Sequence, residues 1–338
     1  DPLWSRGLGD VYKRQVAANA ATSDVKWVSL SAGYQDACGI DTLGRISCWG
    51  ENSDGQLGNG TTVSSNVPVV IKSTTATLGV QFTQVSNGNY HNCALTTDGV
   101  AYCWGLNDQG QLGNTDVGNR STVPVPVDTS GVLSGVVLVQ ISAGYNHTCA
   151  LSDSGAIYCW GMNAYGQLGI GTQDDSPTPV AVDTSGVLSG LTIQEVSAGS
   201  LSTCALDTSG VAYCWGYGPE GEIGDGFAHV STTLPTPVDV SGILSGVTFA
   251  HISAGDFEVC ALATDSRIFC WGLNDSGQLG NGTTTSALVP HAVDTNGANP
   301  DGNLYNYSAV GISAGAAFAC AVTDGGNASC WGDGGQGQ

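Results

Sequence analysis

Positive charge is what this 338-residue chain has least of: eight Lys plus Arg stand against 29 Asp plus Glu, for a net charge of −21. Such a surface repels phosphate backbones and anionic lipid, which argues against nucleic acid as a partner. Charge of either sign is sparse, at 11% of residues. Long apolar runs are missing too; none approaches the roughly 18 residues of a membrane-spanning helix, so no membrane insertion is expected. No stretch shows a sustained helical period. Catalytic signatures are also lacking, with no Gly-x-Ser-x-Gly, Walker loop or His-Glu-x-x-His in the chain. The chain is therefore read as a non-enzyme without a cofactor.

Cysteine, by contrast, is plentiful and ordered. Six times a cysteine is followed ten residues later by another that directly precedes Trp-Gly: Cys38/Cys48, Cys93/Cys103, Cys149/Cys159, Cys204/Cys214, Cys260/Cys270 and Cys320/Cys330. An internal period of this kind points to a repeat architecture. Each unit opens on Ser-Ala-Gly or a close variant, beginning at Ser31, Ser86, Ser142, Ser197, Ser253 and Ser313, in steps of 55, 56, 55, 56 and 60 residues. After Trp-Gly comes Gly-Gln-Leu-Gly, as at Gly110 to Gly113, with Gly221-Glu222-Ile223-Gly224 as the divergent copy.

Within a unit the apolar runs are four to six residues long, rich in Val, Ile, Tyr and Cys, and separated by Gly, Asn, Asp and Ser. This is a strand-and-turn pattern. Four short strands in about 55 residues suit a propeller blade, a small sheet that buries its faces only against its neighbours. The fold class expected is all-β, a β-propeller, with units at about 25–80, 81–136, 137–191, 192–247, 248–307 and a partial one at 308–338.

Spacing also sets the cysteine hairpin. Between Cys93 and Cys103, a three-residue loop of Thr97, Asp98 and Gly99 pairs Thr96 with Val100 and brings the cysteines opposite each other. The third loop residue must be left-handed, which glycine adopts without steric cost. Glycine stands there in five units, at Gly44, Gly99, Gly155, Gly210 and Gly326; the sixth has Ser266. The cysteines then form a non-hydrogen-bonded pair with Cα atoms about 4.5 Å apart, within disulfide reach. The competing readings are free thiols packing as small hydrophobes, and zinc, whose ligands are usually spaced two to four residues apart. Bonded pairs imply an oxidising setting: secreted, periplasmic or cell-surface.

Residues 1–24 do not match the repeat and lack the apolar core of a secretory signal. They hold Arg6, Lys13 and Arg14, three of the eight basic residues, and their string Ser-Arg-Gly-Leu-Gly-Asp-Val-Tyr-Lys-Arg-Gln resembles translated sequencing adapter. A non-native or disordered leader is expected. Gly337-Gln338 stops halfway through a sixth Gly-Gln-Leu-Gly, so a fragment of a longer protein is expected, with its oligomeric state open.

Ser-Ala-Gly, His147-Thr-Cys-Ala-Leu151, Asp153-Ser-Gly155 and Trp104-Gly-x-Asn-x-x-Gly-Gln-Leu-Gly113 together resemble the regulator of chromosome condensation repeat family over about residues 25–338. The resemblance implies a seven-bladed propeller, of which six units are visible and the last is truncated. The cysteine pairs look like the variant of secreted bacterial members. Function in the family is broad: a nuclear exchange factor for the small GTPase Ran, a plant ultraviolet photoreceptor, and a secreted bacterial inhibitor of β-lactamase. Exchange-factor activity is disfavoured because no basic tail is present and paired cysteines do not suit a nucleus. Photoreception is disfavoured because six of eight tryptophans sit in Cys-Trp-Gly and only Arg45, Arg120 and Arg267 lie in the repeats.

Calcium draws attention to the recurring loops Val127 to Gly135 and Val182 to Gly190, but one carboxylate per loop falls short of the oxygens that ion takes. What remains is binding. The three residues after each Ser-Ala-Gly differ most between units, and equivalent propeller loops gather on one rim. Tyr34, Asp36, Tyr90, His91, Tyr145, His147, Asp256, Phe257 and Glu258 are the expected partner-binding residues, aromatic and acidic, facing a protein or other extracellular ligand. The competing reading has them packing the central channel. A non-catalytic interaction scaffold is the function expected, with a secreted enzyme inhibitor as the alternative. If all six pairs are bonded, titrating the unfolded, unreduced chain with a thiol reagent will find no free thiol, and twelve after reduction.

Overall fold

A computed structural model describes residues 25–294 and 308–335. The expected leader, residues 1–24, lies outside the described residues. Blade 1 is built from β1 (Trp27–Ala32), β2 (Asp36–Asp41), β3 (Ile46–Gly50) and β4 (Ser65–Val70), and blade 2 from β5 (Phe82–Asn87), β6 (His91–Thr96), β7 (Ala101–Leu106) and β8 (Arg120–Pro126). Blade 3 follows with β9 (Leu138–Ala143), β10 (His147–Ser152), β11 (Ile157–Gly161) and β12 (Ser176–Ala181). Blade 4 has β13 (Ile193–Ala198), β14 (Ser202–Asp207), β15 (Ala212–Gly218) and β16 (His229–Pro237). Blade 5 has β17 (Phe249–Ala254), β18 (Glu258–Ala263), β19 (Ile268–Gly272) and β20 (Ala287–Ala292), and blade 6 has β21 (Ala309–Ala314), β22 (Phe318–Thr323) and β23 (Ala328–Gly332).

Each blade is an antiparallel sheet with its strands in sequence order. The first strands, from β1 through β21, pack one on the next around the axis. A seventh blade, implied by the family resemblance, is not among the described residues. Leu30 in β1 is 62% exposed, whereas its counterparts Val85, Ile141, Val196 and Ile252 are buried against the preceding blade.

The turn chemistry follows the spacing. Thr96 N–H donates to Val100 O at 3.0 Å, Gly99 N–H to Thr96 O at 3.1 Å, and Gly99 has φ +74°. Ser266 takes the same left-handed conformation, with φ +68°, in the one unit without glycine. In every blade the first cysteine, on the second strand, lies directly opposite the second cysteine, on the third strand. Disulfides join Cys38 to Cys48, Cys93 to Cys103, Cys149 to Cys159, Cys204 to Cys214, Cys260 to Cys270 and Cys320 to Cys330. Their Cα atoms are 4.0 to 4.1 Å apart. That is slightly closer than the separation of about 4.5 Å expected from the ladder.

The bridges are also core material. Cys38, Cys48, Cys93, Cys103, Cys149, Cys159, Cys204, Cys214, Cys260 and Cys270 are fully buried. Cys320 is half-buried and Cys330 exposed, since no blade among the described residues packs on blade 6 from that side. Cys93 and Cys103 pack with Leu95 and Leu112 against Ile141, Ala150 and Trp160 of blade 3. In the same seam Trp160 Nε1 donates to Gln111 O of blade 2 at 2.9 Å. Trp104, Trp215, Trp271 and Trp331 make the same bond to Gln56, Gln167, Glu222 and Gln278. Cys-Trp-Gly and Gly-Gln-Leu-Gly are therefore two halves of one inter-blade contact.

Ser-Ala-Gly forms another. The hydroxyls of Ser86, Ser142, Ser197 and Ser253 each accept the N–H of the alanine in the next blade at 2.9 Å. In return Asn89, Tyr145, Ser200 and Asp256 donate their N–H to the carbonyls of Gly144, Gly199, Gly255 and Gly315. A Cβ on Gly144 would collide with the carbonyl oxygen of Gly199, and one on Gly88 with that of Gly144, so close approach requires glycine here. Gly144→Ala should cost roughly 1–3 kcal/mol of stability through overpacking. Gly118→Ala, where nothing lies within 4 Å of the added carbon, should change it by less than about 0.5 kcal/mol; denaturant melts of the two variants compare them.

Candidate partner-binding face

Strand direction decides which loops meet. The hairpin after each first strand and the long loop after each third strand open on the same end of the propeller, held together by bonds such as Leu106 N–H to Tyr90 O and Tyr217 N–H to Leu201 O. At the axis of this end is a cavity of about 740 Å³, walled by the alanines and glycines of Ser-Ala-Gly and by Tyr34, Tyr145, Ser200 and Asp256. Small side chains in the wall leave it wide enough to hold a guest.

Aromatic rings run along this end in two arcs. Tyr34, Tyr90 and Tyr145 stand edge to face with centroids 6.2 and 5.9 Å apart. Tyr165, Tyr217 and Phe257 form the second arc, at 4.9 and 6.1 Å. Tyr34 is 55% exposed, and the other five are half-buried. Tyr165 and Tyr217 lie outside the segments after Ser-Ala-Gly and are not among the expected contact residues. Their signal lay in the loop after Trp-Gly, where other units carry Glu51, Leu106, Met162 and Leu273 in the place of Tyr217.

Four expected contact residues belong elsewhere. Asp36, His91, His147 and Glu258 each begin the second strand of a blade, where their side chains turn into the seam and are buried. A partner on the rim does not reach them. His91 Nε2 lies 2.8 Å from Thr148 Oγ1 of blade 3, and that hydroxyl donates to Gln111 O at 3.0 Å. The threonine proton is thereby committed, so the imidazole donates from Nε2 and its Nδ1 is left without a partner. His147 repeats the arrangement with Thr203 and Gln167 O. Complete burial holds His91 down to about 3, with the neighbouring His147 adding to the effect, and holds His147 down to about 4. Both are neutral struts.

Asp36 takes amide N–H groups from Asn92 at 2.6 Å and Asn87 at 2.8 Å, yet burial still pushes its carboxyl up to about 7. Burial pushes Glu258 up to about 9, with the charges of Asp256 and Glu222 adding to it. Glu222, in the place of a glutamine, is driven by burial to about 7. Oε1 of each glutamate has no hydrogen-bond partner. Among the described residues, no group of three or more His, Cys, Asp or Glu is placed to hold a metal ion.

These shifts act in opposite directions. A carboxyl raised in the fold contributes stability that is complete below its ordinary value and is lost as pH rises, for Glu258 toward 9. A histidine lowered in the fold contributes stability that is complete above 6.5 and is lost as pH falls toward 3 or 4. Glu258→Gln removes only the first effect. Thermal melts should show it gaining more over the parent chain at pH 8 than at pH 5; an equal gain at both would refute the assignment.

Comparison with known proteins bears on this geometry. The model of the RCC1-like domain matches residues 5–338. The chain is 31% identical over 282 residues to the E3 ubiquitin-protein ligase HERC2 of Homo sapiens, a match covering 83% of this chain and 6% of the ligase. It is 30% identical over 334 residues to the ultraviolet-B receptor UVR8 of Arabidopsis thaliana, covering 98% of this chain and 71% of the receptor. Among solved structures, yeast RCC1 (Prp20) with Kap60 bound superposes with a TM-score of 0.76 at 21% identity, over 93% of this chain and 71% of that one. The repeat motifs, six blades and shared seams thus have one source: the chain belongs to the RCC1-like domain family.

Proposed function

We propose that this chain is a non-catalytic, extracellular interaction scaffold that holds a protein partner on the aromatic end of the propeller. The observation that carries the reading is the pair of aromatic arcs on one end of the propeller. Tyrosine and phenylalanine bring large contact area with few torsions to freeze, which is why such residues concentrate binding energy. A location outside the cytosol is supported by six bonded cysteine pairs and no free cysteine.

Three of the charged or titratable groups best placed for chemistry are already committed to structure. His91 and His147 brace seams through threonines, and Asp36 is held by two asparagines. Ligase activity is not carried over from HERC2, because the match spans only 6% of that protein. Light sensing is not carried over from UVR8: Trp104, Trp160, Trp215 and Trp271 are fully buried in seams, with their indole N–H groups on backbone carbonyls. Yeast RCC1, which shares this fold, is a protein solved with Kap60 bound to it.

Replacing Tyr90, Tyr145 and Phe257 together by serine tests the proposal. Proteins captured by the parent chain from culture medium should bind this variant roughly 100-fold more weakly. Its melting temperature should fall by less than about 3 °C, since these rings are only half-buried. A large loss of stability would show instead that the rings pack the channel, and unchanged capture would rule out the aromatic end as the binding face.

A further inference from the structure

The residue directly after Ser-Ala-Gly is Asp256 in blade 5 and is uncharged in the other five blades. Its backbone is fixed at the channel wall by a 2.9 Å bond from its N–H to Gly315 O. Its side chain lines the cavity of about 740 Å³. That carboxyl is half-buried and makes no hydrogen bond or ion pair among the described residues. Among the described residues no Lys or Arg lines the cavity; Tyr34 and Tyr145 do. Burial alone pushes the Asp256 carboxyl upward, a cost that a cation beside it would offset.

The surroundings share this sign. Glu51, Asp54, Asp108, Glu220 and Asp275 stand in the loops after the third strands, on the same end of the ring as the cavity. Arg120 is the one Lys or Arg described there, and its guanidinium is occupied by Ser53 O and Asp54. Lys26, Arg45, Lys72 and Arg267 all lie at the strand ends of the opposite side. A concave site walled by low-dielectric protein and ringed by one sign of charge concentrates the opposite sign. Tyrosine faces add attraction for a cation.

We infer that the channel mouth receives a cationic side chain, arginine or lysine, from an exposed segment of the partner, with the Asp256 carboxylate as counter-ion and Tyr34 and Tyr145 as its walls. This rests on the scaffold reading above and specifies what that partner must present. A cavity of this volume takes one long basic side chain and the backbone on either side of it. The guanidinium or ammonium meets the carboxylate and the ring faces, while the partner's flanking residues lie against the aromatic arcs.

The probe is a fluorescein-labelled hexa-arginine peptide, followed by anisotropy with the full chain at physiological ionic strength, where diffuse surface attraction is screened. Hexa-arginine should bind and hexa-glutamine should not. Asp256→Asn should weaken hexa-arginine binding about tenfold or more. A control variant carrying Asp98→Asn and Asp153→Asn, on the turns of the opposite end, removes two charges and should leave binding within about twofold. No binding of hexa-arginine, or equal weakening in both variants, overturns the inference. Proteins lost by the Tyr90, Tyr145 and Phe257 variant but retained by Asp256→Asn would overturn the cationic contact and leave the scaffold standing.

Discussion

At the axis, each blade offers the next a serine hydroxyl and a peptide N–H, and takes an alanine N–H and a glycine carbonyl in return. The two bonds sit over a contact that only glycine allows. Backbone groups at the tip of a hairpin would otherwise be left to water, and these bonds satisfy them within the fold. The tryptophan bond to the preceding Gly-Gln-Leu-Gly loop closes the same seam farther out. Between these points lie the disulfide and the apolar residues of the second and third strands. A single blade has no means of burying these faces, so the blades stand or fall as a stack.

The seam explains why variation between units does not mark surface contacts. The third residue after Ser-Ala-Gly varies as Asp36, His91, His147, Ser202, Glu258 and Phe318, which looks like a tuned surface. In blades 1 to 5 it is instead a tuned interior, since all five of these side chains are buried. His91 has Thr148 to meet, and Asp36 has Asn87 and Asn92. Glu258 meets the field of Glu222, the one acidic substitute for a glutamine in the Gly-Gln-Leu-Gly loops. The seam between blades 4 and 5 therefore places two buried carboxyl groups where each opposes ionisation of the other.

What could be read from the chain alone was local. Ten residues of spacing suffice to set Cys93 opposite Cys103, because a three-residue turn leaves a single register. Ser266 could be read as left-handed for the same reason. Strand count and blade order followed from the period. The site was less legible, because it depends on contacts some 55 residues away in the chain: Tyr90 meets Tyr145 only once two blades are side by side. Tyr165 and Tyr217 meet across different blades and from loops that the comparison of Ser-Ala-Gly segments never touched. Which of three neighbouring residues faces the rim is settled by the first residue of the second strand, a boundary that spacing does not mark.

Fifty glycines make this an expensive chain to order, since glycine loses more conformational freedom on folding than any other residue. They are needed at the turns and at the axis, so the cost is built into the fold. Each disulfide closes a loop of about eleven residues and removes roughly 2.5 to 3 kcal/mol of that freedom from the unfolded chain. One bridge per blade sets the restraint where the glycine turn is. The consequence reaches the aromatic end. Tyr90 and Tyr145 follow closely on the glycines of a stitched hairpin, so their backbones are fixed before any partner arrives. A surface ordered in advance loses little entropy on association. The same covalent and hydrogen-bonded restraints that hold the blades together also fix the backbone of the aromatic end.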